Sequence, residues 1–152
     1  MGTRKSYLNL DDQLCFAAYS VSLAFNKVYK KSLQRMGLTY PQYLVMLILW
    51  EKDDRTVTEI GEKLFLNSAT LTPLLKRLES LKFITRQRSN VDQRQVHIEL
   101  TKAGRDLRAK AEEIPYKLAC AAELTPEKMG DLKQRFNKLR DTLLNSEEAA
   151  AP

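Results

Sequence analysis

Two cysteines, Cys15 and Cys120, are the residues of this chain best suited to covalent chemistry. A thiolate attacks a peroxide and becomes a sulfenic acid, and a second thiol can condense with that acid to form a disulfide. Cys15 is flanked by Leu14 and Phe16, and Tyr19 stands at i+4, on the same face of a helix. Tyr29, Tyr40 and Tyr43 fall in the same two-helix region, and phenols can donate hydrogen bonds to a thiolate. With a helix beginning near Leu10, Cys15 falls in the second turn, where the macrodipole acts weakly. Cys120 lies in the small-residue run Leu118-Ala119-Cys120-Ala121-Ala122. A plainer reading stands beside the reactive one: a lone cysteine on an apolar helix packs as a small inert hydrophobe. Spacing alone leaves both readings open at both positions. The single histidine, His97, and the absence of a His/Cys cluster at ligand spacing predict no metal site and no cofactor.

A second set of residues suits a polyanion. The chain carries a net charge of +6 with a pI near 9.3. From Lys76 to Lys110 there are ten Lys and Arg against four acids, a surplus equal to that of the whole chain. The positive charge is therefore concentrated in one third of the protein. Just before it come the small polar residues Asn67, Ser68, Thr70 and Thr72, short enough to reach phosphates or base edges. Lys76 and Arg77 follow two turns on. Arg86 and Arg88 alternate onto one face of a strand, where they can grip phosphates. Arg94 sits at the tip of a basic hairpin, placed to enter a minor groove, and Asp92 can hold its guanidinium. For Lys102, Arg105, Arg108 and Lys110, a solvated helix face is the better reading.

The elements that must carry these residues are mostly helices. Apolar residues from Leu10 to about Leu33 recur at nearly 3.6-residue spacing, with Asn9 or Asp11 as cap and Gly37 as stop. Thr39-Tyr40-Pro41 opens a second helix to about Lys52, with Pro41 at its first position. Thr56-Val57-Thr58-Glu59 is a capping box opening a third. Asn67 or Ser68 caps a fourth, through about Leu81, with Leu71, Leu74, Leu75 and Leu78 on its inner face. Residues 84–88 and 96–100 alternate as strands around a polar loop. Thr101 caps a long fifth helix to about Cys120, Thr125-Pro126 opens a last one, and a frayed tail is expected from Glu147. Two short helices, a tight turn and a basic hairpin make a winged helix-turn-helix.

These residues resemble a known family. Leu14-Cys15-Phe16-Ala17-Ala18-Tyr19, with Thr39-Tyr40-Pro41-Gln42-Tyr43 and the apolar run to Glu51, is similar to the organic-hydroperoxide-sensing (OhrR-type) branch of the MarR family. Leu71-Thr72-Pro73-Leu74-Leu75-Lys76-Arg77-Leu78-Glu79 and the wing's Asp92-Gln93-Arg94 fit as well, so that the resemblance runs from about Leu10 to Leu144. It implies a bacterial repressor that is an obligate dimer with interlocked first and last helices. Cys15 matches the peroxide-reactive cysteine, and Tyr29 and Tyr40 match tyrosines that reach it from the other subunit. Cys120 looks like the resolving cysteine of the two-cysteine subgroup, pairing with Cys15 across the dimer. A one-cysteine subgroup, capped by a small thiol, also exists.

The expected fold is thus mostly α with a small β-hairpin wing, a six-helix MarR-like intertwined homodimer within one chain fold, 1–152. Residues 10–40 and 101–145 form its helical dimerisation region and 41–100 its DNA-binding region. The expected function is repression from a pseudo-palindromic double-stranded DNA operator, released when organic hydroperoxide oxidises Cys15. An alternative is release by a small aromatic ligand with passive cysteines. An enzymatic thiol peroxidase is disfavoured by the helical, winged pattern and the lack of Cys-x-x-Cys, and a nucleoid-architectural protein would ignore oxidant. No apolar run is long enough to span a bilayer and no signal peptide opens the chain, so a cytoplasmic protein without membrane contact is expected.

Overall fold

The computed structural model describes residues 8–150, with side chains through Ser146. It divides into two compact units, with the boundary between Ile114 and Pro115.

The first unit opens with a 3-10 turn at Leu10–Asp12, then α1 (Leu14–Met36) and α2 (Tyr40–Glu51). The turn moves the start of α1 four residues beyond the expected position, and neither Asn9 nor Asp11 caps it: Gln13 is the N-cap, without a side-chain bond. Gly37 ends α1 in the left-handed conformation, φ 70°, as its sequence position requires. Pro41 is the second residue of α2, not its first, and Gln42 Oε1 accepts from the Thr39 N–H at 2.9 Å. The sequence reading missed this second capping pair.

The capping box at Thr56 forms as expected. The Thr56 hydroxyl accepts from the Glu59 N–H at 3.2 Å, and Glu59 Oε2 accepts from the Thr56 N–H at 2.7 Å. They open α3 (Val57–Leu64), and Asn67, not Ser68, caps α4 (Ser68–Ser80). Just before α3 lies a strand absent from the sequence reading, β1 (Arg55–Thr56). It pairs antiparallel with β3 (Val96–Leu100), whose other edge pairs with β2 (Ile84–Arg88), giving the order β1-β3-β2. A two-residue strand has no periodicity to detect; only its partner reveals it.

Ile60, Leu71, Leu75 and Leu78 bury the inner faces of α3 and α4 against Ile84 and Ile98 of the sheet and Val45, Met46 and Leu49 of α2. Leu74 is only half-buried. Two glycines set close approaches. A Cβ on Gly61 would lie 2.8 Å from the Leu66 carbonyl oxygen, and one on Gly104 would overlap the Phe83 carbonyl. Trp50 Nε1 donates to the Gly104 carbonyl at 2.9 Å, tying α2 to the segment that follows β3.

The expected single fifth helix is broken. Thr101 caps α5 (Lys102–Asp106), which gives way to α6 (Arg108–Ala111) and then α7 (Ile114–Ala122). Pro115 accounts for the last break: it has no N–H to bond the Ala111 carbonyl, and near the start of α7 that loss is tolerated. The second unit holds the rest of α7 and α8 (Pro126–Ala150). Helix α8 passes through Glu147 to Ala150, so the tail expected from Glu147 is helical to that point; residues 151–152 lie outside the described region. Among the described residues, no helix is long and apolar enough to cross a membrane.

Candidate DNA interface and thiol sites

The N-terminus of α4 is assembled by its cap. Asn67 Oδ1 accepts from the Thr70 N–H at 2.9 Å, which fixes the first turn and engages the Asn67 carbonyl oxygen. Ser68 and Thr70 are exposed, whereas the half-buried Thr72 turns its hydroxyl back to donate to the Ser68 carbonyl at 2.7 Å. Lys76 and Arg77 are exposed on the same helix, and neither pairs with a carboxylate among the described residues.

The wing arranges its charges differently from the expectation. Asp92 Oδ1 accepts from the backbone N–H of Arg94 at 3.0 Å and so braces the tip; it does not hold the Arg94 guanidinium. The Ser89 hydroxyl accepts from the N–H groups of Val91 and Asp92, both at 3.2 Å, closing the same loop. Arg94 is left exposed. Arg86 and Arg88 do share a strand face, but it is the face of the buried Ile84. Arg86 is half-buried there, its guanidinium bound to Glu79 of α4 at 2.7 Å, while Arg88 lies past the core and is exposed. Glu79 and Arg86 belong to different elements, and no local sequence pattern announces their pairing.

Cys15 and Cys120 are both free and exposed, and they belong to different compact units. Cys15 is the second residue of α1, in its first turn and not its second. Tyr19 is exposed one turn on. The other tyrosines gather elsewhere. Tyr29 and Tyr40 stack with centroids 5.2 Å apart, Tyr43 tilts against both, and Trp50 continues the row from Tyr43 at 6.3 Å. Fourteen residues of helix separate Cys15 from Tyr29, about 21 Å along the axis. The cluster therefore does not touch Cys15 of its own chain. Burial, with the neighbouring Tyr40 and Tyr43, pushes the Tyr29 phenol up to about 12, and burial raises Tyr40 and Tyr43 as well. All three remain neutral hydrogen-bond donors near neutral pH.

Cys120 has a partner that the sequence reading did not name. Tyr116, one turn earlier on α7, is hydrogen-bonded to it, and this bond raises the phenol's pKa. The i−4 spacing was a legible signal. No group of His, Cys, Asp and Glu able to hold a metal ion occurs among the described residues.

Residues 27–111 match the family described as transcriptional regulator SarA/Rot. The organic hydroperoxide resistance transcriptional regulator of Bacillus subtilis is 42% identical over 143 residues, covering 94% of this chain and 97% of that protein. The HTH-type transcriptional regulator TtmR of Methylorubrum extorquens is 45% identical over 135 residues, covering 89% of this chain and 69% of that one. Among solved structures, reduced AbfR bound to DNA matches with a TM-score of 0.79 at 39% identity, over 94% of this chain and 98% of that chain. AbfR is a protein of Staphylococcus epidermidis. Its disulfide form matches with a TM-score of 0.62 at 42% identity, over 86% of this chain and 91% of that chain. These relatives are transcriptional regulators, not enzymes. By sequence and fold alike, this chain belongs to the MarR-like SarA/Rot family of winged-helix transcriptional regulators, in the organic-hydroperoxide (OhrR-type) branch.

Proposed function

We propose that this regulator represses transcription in the cytoplasm as a homodimer on a pseudo-palindromic DNA operator and is released when an organic hydroperoxide oxidises Cys15. The observation that carries the proposal is the coexistence of two exposed free cysteines with exposed basic side chains, Lys76, Arg77, Arg88 and Arg94, on α4 and the wing. AbfR is seen bound to DNA in reduced and in overoxidized form, and also in a disulfide form, so DNA binding and cysteine oxidation occur together in that relative.

Dimerisation follows from the apolar surface of 10–40 and 101–145. Leu14, Val21, Phe25 and Val28 form one exposed stripe on α1, and Phe16, Tyr19 and Leu23 form another on the opposite side. Leu132, Phe136 and Leu143 form a third on α8. Apolar stripes of this length are interface surfaces. A partner chain also resolves the position of the tyrosines: Tyr29 and Tyr40, out of reach of Cys15 in their own chain, approach it from the other subunit.

In the reduced dimer, the two α4 helices enter successive major grooves about 34 Å apart, with Ser68, Thr70 and the capped Asn67 at the bases or phosphates and Lys76, Arg77 and Arg88 on the backbone. Arg94 of each wing enters the flanking minor groove. The Cys15 thiolate attacks the hydroperoxide's distal oxygen, releasing an alcohol and leaving a sulfenic acid. The partner's Cys120 thiolate then displaces hydroxide, which leaves as water, and the disulfide forms. A disulfide requires Cα atoms within about 7 Å; where the two thiols start farther apart, closing the bond moves their helices and changes the half-site spacing.

The test combines binding and gel analysis. The reduced full chain is mixed with its own upstream DNA, then with one equivalent of cumene hydroperoxide, and the same samples are run on non-reducing gels. Loss of binding with a cross-linked dimer, both reversed by dithiothreitol, supports the proposal. Binding that persists after oxidation overturns it.

A further inference from the structure

We propose that Asp54 is a positioning residue for the wing, a role that rests on the DNA-binding reading above: its bond to His97 anchors β3, and with it the loop of Arg94, and the anchor tightens when the imidazole gains a proton. Asp54 Oδ1 lies 2.7 Å from His97 Nδ1. The two residues are 43 positions apart, and the loop between α2 and β1 brings them together. Asp54 takes the left-handed backbone there, φ 55°, which aspartate adopts at less cost than most residues. Asp53 holds that turn. Its Oδ1 accepts from the Asp54 N–H at 2.9 Å and from the Leu100 N–H at 2.8 Å. Two consecutive carboxylates thus grip β3 three residues apart, one on the backbone and one on a side chain.

The place of this grip in the wing gives it a function. β1 offers β3 only two register pairs, Arg55 with Ile98 and Thr56 with His97. β2 pairs with β3 along five residues, but it is the other arm of the same hairpin. Arg94 stands three residues before His97, so the Asp54 contact bears on where Arg94 meets DNA. His97 is the chain's only histidine and is half-buried. Histidine is the side chain whose charge ordinarily changes between about pH 5 and 8. A proton gained there sets a cation against the Asp54 carboxylate, and such charge-assisted bonds are the stronger ones. The charges around β3 leave Asp54 as the partner. On β2, Thr85 and Gln87 share the face of His97 and are uncharged, while Arg86 and Arg88 lie on the other face. On β1, Thr56 is uncharged and Arg55 pairs with Glu59 of α3 at 3.2 Å. Lys63 of α3 pairs with Glu51. From α5, Arg105 lies 3.6 Å from Asp53, and Lys102 pairs with Asp106. Glu99 shares the His97 face of β3 two residues on.

The test is a pH profile of DNA affinity. The full-length protein, kept reduced with dithiothreitol, is titrated onto its upstream DNA by fluorescence anisotropy at about pH 5.5 and about pH 8, at constant ionic strength. The wild type is expected to bind more tightly at the lower pH, by up to about fivefold for each wing. Asp54→Asn keeps an accepting oxygen and tolerates the left-handed backbone, but it removes the charge. Its affinity ratio between the two pH values is expected to fall to that of His97→Gln, which has no charge to gain. The ratio cancels the extra net charge of the variant. An imidazole acting on DNA directly, or a loop that is merely structural, leaves the wild-type ratio in Asp54→Asn. That result, or a wild-type ratio no larger than that of His97→Gln, overturns the proposal while leaving DNA binding intact. A wild type that prefers its upstream fragment to a scrambled one at neither pH overturns the DNA-binding reading and this role with it.

Discussion

The phenol rings of Tyr29 and Tyr40 stack at 5.2 Å, joining the last third of α1 to the first turn of α2. Tyr43 and Trp50 extend the row along α2, and the Trp50 indole reaches the carbonyl of Gly104. The tyrosines that we propose act in sensing thus share packing with the contact that anchors α5 beside the sheet.

This cluster has a pH signature. A phenol whose pKa is raised on folding favours the fold while it is neutral. That stability is fully present below the unfolded value near 10 and is lost as pH rises through the folded value. With Tyr29 near 12 and Tyr40 and Tyr43 also raised, stability is expected to fall between about pH 10 and 12. Tyrosinate absorbance should show these phenols ionising late, and Tyr29→Phe should flatten the decline in thermal midpoint. An unchanged decline in that variant would contradict the assignment.

Gly104→Ala should destabilise the first unit by about 1–3 kcal/mol, the usual cost of forcing an extra group into a packed site. The added Cβ must displace the Phe83 backbone and strains the Trp50 bond. Urea denaturation followed by Trp50 fluorescence checks this; the chain has one tryptophan, so the signal is local.

The basic residues should separate by their existing partners. Arg88→Ala, which removes a phosphate contact, is expected to weaken DNA binding and to lower the salt slope by about one, and Arg94→Ala, which empties the minor groove, to weaken binding as well. Arg86→Ala should cost less affinity, because its guanidinium is already bound to Glu79. That pair is about one-third exposed on each side, so Glu79→Gln should cost less than about 1 kcal/mol of stability. Salt-dependent anisotropy on the three arginine variants distinguishes them.

The cysteines should divide the response between them. Cys15→Ser is expected to bind DNA like the wild type yet ignore hydroperoxide. Cys120→Ser should still form the sulfenic acid, trapped by dimedone, but no cross-linked dimer. Release of the Cys15→Ser variant by peroxide would remove Cys15 from the sensing role.

Local chemistry determined much of this protein in advance. The Thr56–Glu59 capping box, the Asn67 cap and the Gly37 stop depend on residues within four positions of one another, and all three are readable without a fold. The strand alternation from Ile84 to Arg88 and from Val96 to Leu100 is likewise local, as is the concentration of positive charge after Lys76. Even Pro115 carried its warning of a break in the fifth helix. Tertiary structure decided what depends on distant partners. The β1 strand exists because Arg55 and Thr56 meet Ile98 and His97 across more than forty residues. Arg86 is tethered because α4 packs on β2 and brings Glu79 to it. The tyrosines belong to one cluster, about 21 Å along α1 from Cys15, because a straight helix keeps residues fourteen positions apart from touching. Sequence encodes local preferences residue by residue, but which side chains meet is settled only when the helices and strands pack.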